Sequence, residues 1–495
     1  MEPPRGRLRP ELAVRVAAVA RVAAEMGVEA WLVGGTVRDL LLGRDGPDLD
    51  FVAVGDGAGL AAAVQRELGG RLVRHAEFLT ADVIDADGVH LDIATARQES
   101  YAEVAALPEV WAAATIDDDL RRRDFTVNAM ALRLPASVDA SLPASLDASQ
   151  PASLLASLDE GVDLDGLAAS GRLADPSGGR RDLAAGALRV LHERSFLDDP
   201  TRVLRGVRFE ARLGLRLAPE TEALARQAVA AGAFAQLSGS RLRRELELLL
   251  GAEAGAGAEA AAAALAGLDR LRELGVLGAV HPRLGASAGW PAARRRVLEA
   301  AAELAWYRRG AHGTRARRPA RPWMVLLLAL AGGLSEEERG ELAARLLLAG
   351  REHRLLTGFG GSLVAAAARL GAGARPHTVD RALAGLADEE LVLLAAQGGA
   401  LARSWVRRYL AELRPLALAI GGADLLAAGA RRGPAIGRAL RAARAARLDG
   451  EIGPGEELAF ALTRVGEAGG GGGAEGTEGP EETKEMEGTE GTEGR

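Results

Sequence analysis

Cysteine is absent from all 495 residues. That excludes disulfides, thiolate zinc sites and a cysteine nucleophile, and makes a reducing cytoplasm the expected home. Long apolar runs are missing too. No stretch approaching about 18 residues escapes a charge or a helix breaker, and the N-terminal MEPPRGRLRPELAVRVAAVARVAAEMG lacks the unbroken apolar core of a secretion signal, so no membrane association is expected. Lysine is nearly missing: Lys484 stands alone among 61 basic residues. Genomic base composition alone would produce that bias, although arginine is also the better bidentate reader of phosphate and base edges.

The net charge of -7 is equally uneven. Residues 466 to 495 hold nine glutamates against Lys484 and Arg495, which accounts for all of it. The first 465 residues are neutral overall, so any nucleic-acid binding must come from local patches.

The repetitive Gly/Glu/Thr tail is too polar to bury a core and is expected to be disordered. The segment PASVDASLPASLDASQPASLLASLDEG, 135 to 161, reads as a flexible insertion in an otherwise compact chain, and in the domain division it extends to 170. Between residues 30 and 134, short apolar runs (WLVGG, DLDFVAVG, GVHLDIATA, NAMALRL) alternate with the helical pattern of GAGLAAAVQRELGG, which predicts an α/β domain. From about residue 187 the apolar spacing becomes helical throughout, broken by the arginine-rich loop at 307 to 323. The expected division is an N-terminal helix over 1–27, an α+β head over 28–186, a helical neck over 187–290, a helical body and tail over 291–465, and the acidic tail. No obligate protein partner is evident.

The chemistry is concentrated in a few stretches. In WLVGGTVRDLLLGRDGPDLDFVAV, Gly34 and Gly35 follow a strand and open a helix, where bare backbone N–H groups hold phosphate, with Arg38 one turn in as a charged clamp. Asp48 and Asp50, two apart on the next strand, point to one face. Carboxylates that close repel unless protonated or bridged, and paired hard oxygen ligands suit Mg²⁺. A solvated strand end is the plain alternative. Asp92 in GVHLDIATAR is a third carboxylate in a strand-like run, either completing that site or standing isolated at an edge. In DLRRRDFTVNAMAL, Arg122 and Arg123 suit phosphate or ribose, while Asp124 and Asn128 lie at helical neighbour spacing; a capped, solvated helix start is the rival reading. In FLDDPTRVLRGVRFEARLG, Asp199, Arg202, Arg205 and Arg208 step by three along one helix, with Val203, Leu204 and Val207 facing the core. Asp199 before Pro200 also reads as an N-cap, and the arginines as a solvated face. An Asp and an Arg one turn apart present an acceptor beside donors. Such a pair matches the amino group and ring nitrogen of cytosine and adenine and leaves uracil or guanine unpaired.

Taken together, LVGGTVRDLLLG, DLDFV, ATARQESY, DLRRRDFTVNAMA and DDPTRVLRGVRFEARLG resemble, in order and spacing, the motifs of the class II tRNA nucleotidyltransferase and bacterial poly(A) polymerase family. The resemblance covers about residues 28 to 285 and, more weakly, GADLLAAGARRGPAIGRAL and LDGEI near the C-terminal end. It implies a polymerase-β-like head followed by an all-α neck, body and tail, and addition of C and A to tRNA 3′ ends from CTP and ATP with two Mg²⁺ ions. By that resemblance Asp48 and Asp50 bind the metals, Gly35 and Arg38 the triphosphate, and Arg122, Arg123 and Asp124 the phosphates and ribose. Asp199 and Arg202 read the base, supported by Arg205 and Arg208. Shape recognition of the acceptor and T arms then falls to arginines such as Arg241, Arg243 and Arg244, the 308 to 321 loop, and Arg431, Arg432, Arg438 and Arg441.

This sequence departs from the pattern at three places. Asp198 stands where the family usually has Glu, Val104 where proline is frequent, and the 135 to 161 insertion is unusual. No His-Asp pair suggests an appended hydrolase. Full CCA addition, C-only or A-only addition and poly(A) tailing stay open, as does a non-catalytic RNA-binding protein that keeps the fold.

Overall fold

The computed structural model describes residues 9–44, 49–135, 172–252, 258–310 and 318–469. Asp48 therefore lies outside the described residues, as do nearly all of the 135 to 161 insertion and most of the acidic tail. Two compact units are present, residues 1–364 with 387–399, and residues 365–386 with 400–495.

The first unit opens with helix α1 (Pro10–Met26), begun by proline in its first turn and stopped by Gly27 in the left-handed conformation. Strand β1 (Glu29–Val33) runs into α2 (Gly34–Leu41). Next come β2 (Leu49–Val54), α3 (Gly57–Leu68) capped by the Asp56 carboxylate, β3 (Arg71–His75), β4 (Thr80–Ile84) and β5 (His90–Thr95). A small hairpin, β6 (Arg97–Ser100) and β7 (Glu109–Ala112), precedes α4 (Ile116–Arg121), and β8 (Ala131–Arg133) and β9 (Leu173–Ala174) complete the main sheet. Its order is β3-β4-β5-β2-β1-β8-β9. Among the described strands of this sheet only β2 and β5 pair in parallel, and α3 and the β3–β4 hairpin lie between them in the chain.

Strand alternation gives the sheet two faces. Leu49, Phe51, Leu91, Ile93, Ala81 and Val83 form one, with at most 1% exposure, and α1 and α3 pack against the sheet. Trp31, Val33 and Val52 lie on the other, packed with Ile116 and Leu120 of α4. Arg15 of α1 donates to the buried Asp85 carboxylate at 2.7 Å, and Asp85 also caps the β4–β5 turn through the N–H groups of Asp87 and Val89.

The rest of the first unit is helical, apart from a two-residue parallel pair, Ala187–Leu188 with Arg216–Leu217, that periodicity does not reveal. Helix α5 (Thr201–Leu213) buries Val203, Leu204 and Val207 at 0 to 1% exposure. Helix α6 (Gly239–Glu247) is N-capped by Ser238. Farther along, Trp290–Arg309, Pro322–Ala331 and Asp388–Gln397 pack together, and the fully buried Glu389 is paired with Arg321 and Arg351. The second unit is a small helical bundle whose core is Leu425, Ala439, Ala443 and Ala461. Asp380 with Arg444, and Glu457 with Arg447, brace it.

Candidate active site

The parallel register sets Asp50 directly beside Asp92, and the antiparallel register sets Asp82 beside Asp92 on the far side. Three carboxylates thus cross three adjacent strands on one face, at a strand spacing of about 4.8 Å. All three sit on the open part of that face, with Asp50 half-buried and Asp92 exposed. Asp82 accepts from His75 at 3.0 Å. Among the described residues no three such ligands gather tightly enough to hold an ion by themselves. Two hard-oxygen donors on neighbouring strands suit Mg²⁺, which binds one or two carboxylates alongside phosphate.

The glycine turn abuts this row. Gly34 has φ +64°, and a Cβ built there would lie 2.8 Å from Nη1 of Arg123 and 3.6 Å from Oδ2 of Asp50. The left-handed backbone angle calls for glycine, and a Cβ there would also displace the tip of the Arg123 side chain. The Thr36 hydroxyl accepts from the Asp50 backbone N–H at 3.2 Å, joining the start of α2 to the acidic strand.

Arg38, expected as a clamp reaching the phosphates, is instead only 2% exposed. It donates to Asn128 at 2.7 Å and to Asp39 at 2.8 Å, and lies 5.1 Å from the centre of the Phe209 ring. Burial and the nearby Arg212 lower its pKa, opposed chiefly by Asp39. Two guanidinium groups flank the glycine turn: a Cβ at Gly35 would stand 3.4 Å from Nη2 of Arg38, and Arg123 covers Gly34.

Arg122 and Arg123 share one carboxylate that sequence reasoning missed. Asp119 is fully buried; it accepts from Arg122 at 2.7 Å and from Arg123 at 2.8 Å, and its other partner is the Arg97 backbone N–H at 3.2 Å. Burial resists ionisation of Asp119, but the two arginines outweigh it and hold its carboxyl below the usual range. Its position three and four residues before the arginines was the available signal. Arg122 also donates to Glu99 at 2.7 Å.

Asp124 and Asn128 do meet, at 3.0 Å. They do not form the solvated helix start that their spacing allowed: α4 ends at Arg121, and the contact closes a buried turn around a short 3₁₀ segment, Thr126–Asn128. Arg205 binds Asp124 at 2.7 to 2.8 Å. Burial opposes charge on Asp124, yet Arg205 and the Asn128 hydrogen bond depress its pKa.

The arginine row of α5 is not a solvated face. Arg202 and Arg208 are 5% and 7% exposed. Arg202 donates to the Ser195 hydroxyl at 2.7 Å and to the Arg122 carbonyl at 2.9 Å, and lies 6.0 Å from the Tyr101 ring centre. Arg208 reaches Glu245 at 3.4 Å. Asp199 accepts from the Thr201 N–H at 3.0 Å and its hydroxyl at 2.6 Å, while the N-cap position itself falls on Pro200, one residue later than expected. Arg241, expected in an RNA-facing patch, is ion-paired with Asp199 at 2.6 Å. Nothing local in the sequence connects the two, since they come from separate helical segments.

A mixed sheet with a carboxylate row, a glycine turn feeding a helix and a helical extension carrying buried arginines defines a polymerase-β-like head with a mostly helical remainder, not the all-α one expected, because the neck carries the short parallel pair Ala187–Leu188 with Arg216–Leu217. Residues 30–141 match the poly A polymerase head domain, and similarity to tRNA nucleotidyltransferases runs along most of the chain. It is 42% identical over 231 residues to the A-adding tRNA nucleotidyltransferase of Halalkalibacterium halodurans, covering 46% of each chain. To that of Geobacter sulfurreducens it is 32% identical over 440 residues, 87% of this chain and 44% of the relative. The chain thus spans about half the length of the curated relatives it matches. Among solved structures it resembles the Thermotoga maritima CCA-adding enzyme complexed with tRNA, with TM-score 0.64 and 27% identity over 93% of this chain and 96% of that one. A CCA-adding enzyme complex with CTP matches at TM-score 0.65 and 27% identity, over 93% and 96%. Among the described residues no helix is long and apolar enough to cross a membrane.

Proposed function

We propose that this chain is a template-independent nucleotidyltransferase that adds C, A or both to the 3′ end of tRNA from CTP and ATP. The observation that carries this reading is the in-register pair Asp50 and Asp92 beside Gly34 and Arg123. Asp50 and Asp92, together with Asp48 as expected from the sequence, are the residues that would hold Mg²⁺. When bound, the ions supply Lewis-acid activation of the 3′-hydroxyl and charge stabilisation of the departing pyrophosphate.

The protein's own contribution is positioning. The Gly34–Gly35 turn lets the triphosphate approach the backbone at the start of α2, and Arg123, held by Asp119, meets its charge. Arg38 acts from behind, fixing Asn128 and through it Asp124. Arg205 locks the Asp124 turn onto α5, so the phosphate-binding part and the base-reading part form one hydrogen-bonded body. Asp199 and Arg202 then accept cytosine or adenine, while uracil or guanine leaves a buried group unpaired at about 1–3 kcal/mol each.

Three of the curated relatives are A-adding enzymes, which favours that activity here, although others are CC-adding or multifunctional CCA proteins. Purified protein incubated with tRNA ending before the first C, or after the second, with CTP, ATP or both, separates the alternatives. A-only activity extends only the second substrate. Asp50→Ala is expected to abolish incorporation while tRNA binding survives. Incorporation at wild-type rate by Asp50→Ala, or none by the wild type on any of these RNAs, would overturn the assignment.

A further inference from the structure

Every hydrogen bond made to the Asp199 side chain among the described residues falls on Oδ1, from the backbone and hydroxyl of Thr201. The Arg241 ion pair falls on the same oxygen, at 2.6 Å. The other terminal nitrogen of Arg241 donates to the Ala105 carbonyl at 3.1 Å. Ala105 is itself unusual: it holds φ +61°, a left-handed angle that side chains rarely adopt, and its N–H donates to the Leu197 carbonyl at 3.1 Å. One guanidinium therefore joins three pieces of chain: the loop around Ala105, the turn carrying Asp199, and α6.

We propose that Arg241 is a positioning residue for base selection, pairing with Oδ1 of Asp199 so that Oδ2 is the oxygen presented to the incoming base, and anchoring the Ala105 loop to that contact. This rests on the base-reading assignment above. A carboxylate has two equivalent acceptors and turns about a soft terminal torsion. Loading one oxygen with three partners makes them inequivalent and fixes the carboxylate plane. A fixed Oδ2 accepts the amino group of cytosine or adenine and faces the carbonyl of uracil or guanine with like partial charge, which is discrimination by repulsion as well as attraction. Released from Arg241, the carboxylate can turn to accept a ring N–H, and the wrong bases are tolerated.

The test is single-nucleotide incorporation on tRNA lacking its terminal residues, with each of the four nucleoside triphosphates, for wild type, Arg241→Ala, Arg241→Lys and Asp199→Ala. The readout is the ratio of kcat/KM for the preferred triphosphate to that for UTP and GTP, which does not depend on how much of a variant is folded. Arg241→Ala is expected to lower the ratio about tenfold, equivalent to about 1.4 kcal/mol, through a higher KM for the preferred substrate together with a lower KM for UTP and GTP. Arg241→Lys restores part of it. An unchanged ratio in Arg241→Ala, with or without a fall in activity, overturns the inference and leaves Arg241 a structural link. If Asp199→Ala also leaves the ratio unchanged, the base-reading assignment falls with it; if Asp199→Ala relaxes the ratio, only the role of Arg241 does.

Discussion

At the scale of single residues, the site is held by carboxylates that must stay ionised while buried. Asp119 is the extreme case, with no exposure and two guanidinium partners. Removing one member of a buried ion pair costs about 3–5 kcal/mol, because the partner is left uncompensated. Asp119→Asn is therefore expected to lower the unfolding free energy by about 3 kcal/mol in urea titrations and to unseat Arg123 from the glycine turn. The same groups set an acid limit. Asp85, Asp119 and Asp124 all bind protons more weakly folded than unfolded. Their stabilisation is complete above the unfolded carboxyl pKa of about 3.9 and disappears as pH falls through the lower folded values. The wild-type urea midpoint should hold from pH 7 to about 5 and drop below about pH 4. Asp119→Asn should show a shallower drop, and an equally steep one would remove Asp119 from this account.

At the scale of elements, the packing of α5 shows why its glycine is there. A Cβ at Gly206 would stand 2.9 Å from Cζ of Phe125 and 3.2 Å from Leu217. Phe125 is fully buried between Phe196 and Phe209 and has nowhere to retreat. Alanine would gain about 1 kcal/mol of helix propensity, while overpacking costs about 1–3 kcal/mol. Gly206→Ala should lower the thermal midpoint, and a rise would mean that the ring yields. The elements readable in advance were those with a clear apolar period. DLDFVAV and GVHLDIA declare strands, and VLRGVRFEARL declares a helix. Strand β3 escaped notice because RLVRH is a charged, largely exposed sheet edge, the composition that shields an edge from further pairing. In the site, the arginines of α5 were readable as a row but not as a buried one, since their counter-charges Asp124 and Glu245 come from distant chain.

For the whole molecule, the neutral charge of the first 465 residues hides strong local asymmetry. The arginines of the head and neck are largely consumed by internal carboxylates. In the second unit, Arg431, Arg432, Arg438 and Arg441 are exposed and, among the described residues, carry no ion pair. Such charges release counterions when they meet phosphates, with log affinity falling by about 0.7–0.9 per contact for each decade of salt. Replacing Arg431 and Arg432 by Gln should weaken tRNA binding at low salt and reduce the slope of log affinity against log salt by about 1–2. An unaltered slope would show that RNA does not touch this patch. The order of motifs pointed to the polymerase-like head and the mostly helical remainder that the fold contains. The division into two units was less legible, because the second takes residues 365–386 and resumes only after 399, and no composition shift marks that detour.

The side-by-side setting of Asp50 and Asp92 has one last implication. Their separation is inherited from the peptide ladder between two strands, so it belongs to the backbone and not to any neighbouring side chain. The hydrocarbon groups beneath, such as Phe51 and Ile93, can be exchanged for others of similar bulk without altering the gap an incoming cation would span. The proposed reacting centre is thus insulated from drift in its own foundations, whereas the proposed base-choosing apparatus, assembled from arginines reaching across separate helices, has no such insurance.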